Sequence, residues 1–254
     1  MRRHLIVANW KMNKTDAEAA SYVRRLAARA RQTAKVEIVL APPFTALSVT
    51  SLLAARRFAF AAQDLHWEDT GAFTGEISAP MLKALGCAYV IIGHSERRRL
   101  FGEDDAAVNK KVLAAIRHGL RPIFCIGESL AERKRGQTTR VVTRQLRQGL
   151  REVSATAARH LTIAYEPVWA IGTGNAASPA QIHTAHTTIR TCLAKKWGAR
   201  AADRIRILYG GSVNTDNVTA FLESPEVDGA LVGNACLDPR TFAKIVHRAQ
   251  SLTS

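Results

Sequence analysis

Eight parallel strands closed into a barrel, with helices packed outside, form the α/β architecture that this sequence predicts. Three observations carry the prediction: short apolar runs alternate with longer amphipathic segments, eight such runs recur at near-regular spacing, and 254 residues with 47% hydrophobic content suffice for one large core. Alternation of strand and helix calls for parallel strands, and eight such units favour closure into a (β/α)8 barrel over an open doubly wound sheet. A single domain over 1–254 is expected, because no linker or low-complexity tract divides the chain.

The elements follow in order. The run 5–8 is the first strand, and an amphipathic helix is expected over 16–31. Runs 36–40, 58–62 and 89–92 supply the next three strands, and 104–118 the helix that follows the fourth. A fifth strand over 122–126 precedes a helix over 138–153, and a sixth over 161–165 stops where Pro167 removes a backbone donor. Ser178-Pro179 opens a helix over 179–197. The runs 205–209 and 229–232 complete the strands, and the last helix, 239–249, has Asp238 as N-cap and Pro239 at its first position.

Barrels of this kind collect their chemistry at the carboxyl ends of the strands. Asn9-Trp10-Lys11-Met12-Asn13 follows the first strand, Gly93-His94-Ser95-Glu96-Arg97-Arg98 the fourth, Tyr209-Gly210-Gly211-Ser212-Val213 the seventh and Gly233-Asn234-Ala235-Cys236 the eighth. Glu166 ends the sixth, ahead of Pro167-Val168-Trp169-Ala170-Ile171-Gly172-Thr173-Gly174. A general base needs a carboxylate held rigidly, partly desolvated, and closed off from water by something that moves. Glu166 meets the first needs, and the loop 167–174, hinged at Gly172 and Gly174, is the expected lid. Singly, Lys11 is an ordinary surface cation and His94 an ordinary cap neighbour or core histidine. An ammonium, an imidazole and a carboxylate at one mouth point to a site.

Other readings fare worse. Gly172-Thr173-Gly174-Asn175-Ala176-Ala177 fits the GxGxxA pattern of dinucleotide folds. That fingerprint requires its first glycine directly after a strand and a helix opening within the motif, and neither holds here. The chain has 36 Lys plus Arg against 21 Asp plus Glu, a formal charge of +15. Arg140, Arg144, Arg147 and Arg151 fall at helical spacing, and Arg24-Arg25-Arg29-Arg31 and Arg133-Lys134-Arg135 form further clusters. With 6% aromatic residues and no recognised nucleic-acid motif, solvated helix faces explain these charges, and no specific nucleic acid is expected. Cys87, Cys125, Cys192 and Cys236 lack CxxC or His spacing, so reduced, mostly buried thiols are expected, with no metal. No apolar stretch is long enough to span a bilayer, and the one after Arg2-Arg3 is too short for an export signal, so cytoplasmic location is expected.

Six blocks, Asn9 to Asn13, Gly71-Ala72-Phe73-Thr74-Gly75-Glu76, Gly93 to Arg98, Cys125-Ile126-Gly127-Glu128, the Glu166 segment and Tyr209 to Val213, together resemble the triosephosphate isomerase family. The likeness runs in order from about residue 5 to about residue 247. It implies a TIM barrel and an aldose-ketose isomerase of central carbon metabolism, interconverting dihydroxyacetone phosphate and glyceraldehyde 3-phosphate without cofactor or metal. It implies Glu166 as base, His94 as electrophile, and Lys11 and Asn9 around the substrate oxygens. A helix beginning near Ser95 would hold His94 neutral, and backbone amides at Gly172, Ser212, Gly233 and Asn234 would hold the phosphate. Ser95, Glu96 and Cys125 would support the site. It also implies a homodimer in which the block 71–76 reaches into a partner, with Thr74 supporting Asn9 and Lys11 of the other chain. Two departures stand out: Asn234 replaces a common second glycine, and Asp64 stands where the family usually has asparagine. An isomerase of a tetrose phosphate and an inactive polyanion-binding protein are the rival functions.

Overall fold

The computed structural model describes residues 2–30, 35–54, 57–171 and 176–252. Its strands are β1 (His4–Asn9), β2 (Val36–Ala41), β3 (Ala59–Ala62), β4 (Tyr89–Ile92), β5 (Arg121–Ile126), β6 (Thr162–Tyr165), β7 (Arg206–Tyr209) and β8 (Gly229–Val232). They close into a barrel in chain order, each parallel to the next, with β8 returning to β1. Each expected strand is present, its ends displaced by a residue at most.

Strand alternation divides the core in two. Leu5, Val7, Val39, Ala61, Ile91, Ile123, Cys125, Ala164, Leu208 and Leu231 pack together inside the barrel. Their neighbours Ile6, Ala8, Ile38, Leu40, Phe60, Val90, Phe124, Ile163, Ile207 and Val232 pack outward against the helices. Both faces are covered, which is why these strands read as nearly continuous apolar runs. The same parity places Asn9, two residues past Val7, and Glu166, two past Ala164, on the inward side at the carboxyl end.

Local chemistry explains the helix ends. Thr15 and Glu18 form a capping box before Asp16–Arg29, Ser178 and Gln181 another before Pro179–Trp197, and Asp238 accepts from the Thr241 amide ahead of Pro239–Ser251. The helix expected over 16–31 ends at Arg29, and Arg31 lies outside the described residues. That expected over 138–153 runs Thr138–Gly149, whose last residue packs on the Phe124 ring, where a Cβ would come within 2.4 Å. Glu152 then takes φ 65° and turns the chain into Ala155–Ala158, capped by Ser154. Short helices over Leu47–Ala54, Ala79–Ala84, Leu130–Lys134, Ala199–Ala202 and Val218–Leu222 were not expected. Among the described residues no helix is long and apolar enough to cross a membrane. Cys87, Cys125 and Cys236 are buried and Cys192 is half-buried, all unpaired.

The amino end of the barrel is sealed by a polar floor. Tyr89 Oη donates to Glu37 Oε1 at 2.6 Å and accepts from Arg206 at 2.8 Å and Arg121 at 3.1 Å, while Arg206 also holds Glu37 Oε2 at 2.6 Å. Burial raises the Glu37 pKa, but the Tyr89 hydroxyl and the Arg206 charge outweigh it, and the net shift is downward. Beside this floor, Asp228 is held by Arg2 at 2.5 Å and Arg190 at 2.9 Å.

Candidate active site

At the other end, each strand delivers its residue to a common mouth. Asn9 is buried at the end of β1, and its Oδ1 accepts from the Lys11 amide at 3.0 Å. Lys11 adopts φ 52°, a left-handed conformation that is uncommon for lysine. Gln63 holds it there, its Nε2 donating to the carbonyls of Lys11 and Ala41, both at 2.9 Å. That conformation turns Lys11 back over the barrel, where Nζ reaches Glu96 Oε1 at 2.6 Å. Burial would raise the Glu96 pKa, but the hydrogen bond and charge from Lys11 outweigh it and lower it instead.

His94 caps the helix Ser95–Leu100, accepting the Glu96 amide at Nδ1 at 3.2 Å. An acceptor at Nδ1 assigns the ring proton of the neutral imidazole to Nε2. Nε2 in turn lies 3.1 Å from Glu166 Oε1.

Glu166 is 2% exposed, and its Oε2 accepts from the Ser95 amide at 2.9 Å. The main chain beneath it is closely packed: Glu166 N donates to Ile126 O at 2.7 Å, and a Cβ on Gly127 would sit 1.8 Å from Glu166 O. Only glycine permits that approach. Cys125, inside the barrel below, has its thiol pKa pushed well up by burial and then by the Glu166 carboxylate, so it stays an inert thiol.

Asn9, Lys11, His94, Glu166, Ser212, Gly233 and Asn234 line one cavity, together with Ile171, Gly210 and Leu231. Seven residues predicted to act on or hold the substrate, and Ile171 of the expected lid, are thus brought together. Gly172, Thr173 and Gly174, expected as phosphate anchor and lid, lie outside the described residues. Thr74 is exposed on the loop before Ala79–Ala84, and among the described residues it makes no hydrogen bond to Asn9 or Lys11 of its own chain.

The described part of the segment expected to be a lid begins with Pro167, forms a 3-10 turn over Val168–Ala170 and ends at Ile171. Its anchor was missed from sequence. Glu128, fully buried, accepts from Trp169 Nε1 at 3.0 Å and from Tyr165 Oη at 3.1 and 3.0 Å to its two oxygens. Its own carbonyl accepts the Val168 amide at 3.1 Å. Arg133 closes the cluster, 3.2 Å from Glu128 and stacked 4.4 Å from the Trp169 ring centroid. Glu128 lies within one of the family-like blocks, so a signal existed, but its partners come from separate segments. Gln63 carried no such signal. Among the described residues a 3-10 turn, not a glycine turn, follows β6, and the next helix opens at Pro179, against the dinucleotide pattern.

The arrangement holds one buried carboxylate, one imidazole and one ammonium around a small polar cavity. Such a set can move a proton at carbon while stabilising charge on adjacent oxygens. Comparison with known proteins gives the same direction. Residues 4–249 match the family model described as triosephosphate isomerase. The chain is 52% identical over 251 residues to the triosephosphate isomerase of Moorella thermoacetica, covering 98% of this chain and 100% of that protein. It is 50% identical to that of Chloroflexus aurantiacus, covering 97% and 99%. The crystal structure of triosephosphate isomerase from Bartonella henselae superposes with a TM-score of 0.88 at 39% identity, covering 97% and 99% of the two chains. Fold, site geometry and full-length likeness agree, and the chain belongs to the triosephosphate isomerase family.

Proposed function

We propose that Glu166 is the base by which this enzyme interconverts dihydroxyacetone phosphate and D-glyceraldehyde 3-phosphate through an enediolate. The observation that supports this role is the placement of its buried carboxylate, 3.1 Å from His94 Nε2 in a cavity shared with Lys11 and Asn9. A carboxylate with two equivalent oxygens serves both carbons in turn, once it leaves the Ser95 amide. His94 Nε2–H donates to whichever oxygen carries the developing charge, without the acidity of imidazolium. Lys11 supplies fixed positive charge, worth on the order of 4 kcal/mol against a unit anion at 4 Å and an effective dielectric of 20. Part of that binds the phosphate equally in ground and transition states, so it lowers KM more than it raises kcat.

Ser212, Gly233, Asn234 and Gly172 would hold the phosphate through main-chain amides. The segment from Pro167 to Gly174 would close over it, excluding water from the enediolate. No cofactor or metal takes part in this scheme. The whole chain, 1–254, would act as one (β/α)8 domain.

A homodimer is also part of the proposal. Met12 is 95% exposed, and Phe44, Phe73, Leu100 and Phe101 are exposed in the segments that follow β2 to β4, apolar side chains that a second copy would cover. Thr74 would then approach the partner's mouth. The enzyme would serve glycolysis and gluconeogenesis in the cytoplasm, a setting that the scattered, unpaired cysteines support.

The test is isomerisation of glyceraldehyde 3-phosphate by the purified protein and by Glu166→Gln, with a four-carbon ketose phosphate alongside. Fast turnover of the triose, lost in Glu166→Gln, is expected. Preference for the four-carbon sugar, or full activity in the variant, would contradict the proposal.

A further inference from the structure

Most cations of this chain are dispersed, but one group is gathered by the fold. Arg24, Arg25 and Arg29 lie on the exposed side of helix Asp16–Arg29, whose Ala19, Tyr22, Val23 and Leu26 pack inward. Lys244 and Arg248 lie on the exposed side of helix Pro239–Ser251, whose Phe242, Ala243, Ile245 and Val246 pack inward. These helices are neighbours, since His247 Nε2 lies 3.0 Å from the Arg29 carbonyl oxygen. Arg57, just before β3, joins the same corner by donating from Nη1 to the Ala27 carbonyl. Six cations therefore face solvent at the carboxyl ends of two adjacent helices, at the end of the barrel away from the active site.

None of these six makes an ion pair among the described residues. The stripe Arg140, Arg144, Arg147 and Arg151, on and just past helix Thr138–Gly149, is partly compensated: Arg144 lies 3.4 Å from Asp105, and Arg151 3.3 Å from Glu152. Attraction to the helix carboxyl termini offsets some of the mutual repulsion in the first group, but it fades within the last turn, and Arg24 and Arg25 stand a turn further back. Uncompensated like charges on one face cost stability through self-repulsion and attract polyanions.

We infer that this face binds the phosphate backbone of nucleic acid, independently of sequence. Five of the six cations are arginine, whose planar guanidinium matches phosphate in a bidentate fashion. Successive turns of each helix space the cations by about 5.4 Å, giving two parallel rows. Of the large exposed apolar residues, Met12, Phe44, Phe73, Met81, Leu100, Phe101 and Leu130 lie on other elements, Leu53 lies on helix Leu47–Ala54 beside Asp16–Arg29, and neither of the two basic helices carries one. One leucine at the edge of this face is not the apolar stripe of a lipid-inserting helix, and neither basic helix presents an exposed aromatic platform that stacks bases. Backbone phosphates of a duplex are the chemistry left for it.

The test measures fluorescence anisotropy of a labelled 20-base-pair duplex between about 50 and 200 mM salt, the range over which such binding changes steeply. The wild type is compared with R25E/R29E/R248E and with R140E/R144E/R147E, two variants carrying the same change in net charge. Circular dichroism and thermal melting verify that each is folded. Expected is binding by the wild type that weakens with salt, a loss of about tenfold or more in the first triple variant, and a log–log salt slope shallower by about 0.9 for each phosphate that the variant no longer neutralises. The second variant should keep its affinity within about threefold. Equal loss in both variants, or no binding by the wild type at the lowest salt, would overturn the site. Tighter association with vesicles of anionic lipid than with the duplex would overturn the choice of partner.

Discussion

The two ends of the barrel carry polar clusters of similar composition and opposite design. At the floor, Glu37, Tyr89, Arg121 and Arg206 turn their polar atoms on one another, at distances of 2.6 to 3.1 Å. At the mouth, Asn9, Lys11, His94 and Glu166 converge on a cavity. They bond little to one another: the Glu166 carboxylate has the Ser95 amide and the His94 ring, and the Lys11 ammonium has Glu96. A polar group whose partners are all protein adds rigidity, whereas groups aimed together at a space await an outside partner. Carboxylates and cations at either end mean nothing until one asks where their hydrogen bonds go.

The sharpest way to break this contrast is at Glu166. Glu166→Gln keeps shape and hydrogen-bonding capacity but removes the base, and turnover should fall by about 10²- to 10⁴-fold, the usual worth of general base catalysis. A smaller loss, read as kcat in a steady-state assay, would mean that another group abstracts the proton. His94→Gln comes next, since a preorganised donor to an oxyanion is typically worth about 2.7 to 4 kcal/mol. Its loss should appear in kcat rather than KM.

At the floor the expected effect changes kind. Glu37→Gln leaves Arg206 and Arg121 facing each other with a neutral partner. Breaking a fully buried pair costs about 3 to 5 kcal/mol, but Glu37 is partly open to solvent, so about 1 to 2 kcal/mol is expected in urea unfolding, with kcat unchanged. The smallest effect is that of pH. The folded pKa of Glu37 lies below its unfolded value, so its contribution is present above the ordinary carboxylate range and is lost as pH falls through the folded value. Urea unfolding midpoints of wild type and Glu37→Gln, measured at decreasing pH, should converge as pH falls below the ordinary carboxylate range, and a gap that stays constant on acidification would refute this.

Much of the mouth could be read in the sequence because strand parity is local. Val7 inside predicts Asn9 inside, and Ala164 predicts Glu166, with no knowledge of the rest of the chain. Capping signals at Ser178-Pro179 and Asp238-Pro239 placed two helix starts for the same reason. The short helices Ala79–Ala84 and Leu130–Lys134 escaped notice because one to two turns are too few for a hydrophobic period to register. The left-handed turn at Lys11 has no local signature either, since it is imposed by Gln63 from β3's far end. The floor was invisible for the most direct reason: Glu37 and Arg206 are 169 residues apart, and only closure of the barrel brings them together.

The contrast stands or falls on measuring kcat and Tm together for Glu166→Gln and Glu37→Gln. A crossed pattern is predicted, with Glu166→Gln losing turnover while melting at or above the wild-type temperature, and Glu37→Gln melting several degrees lower with turnover intact. If Glu166→Gln unfolds as readily as Glu37→Gln, or if Glu37→Gln loses turnover without losing stability, the division of labour between the two ends is wrong.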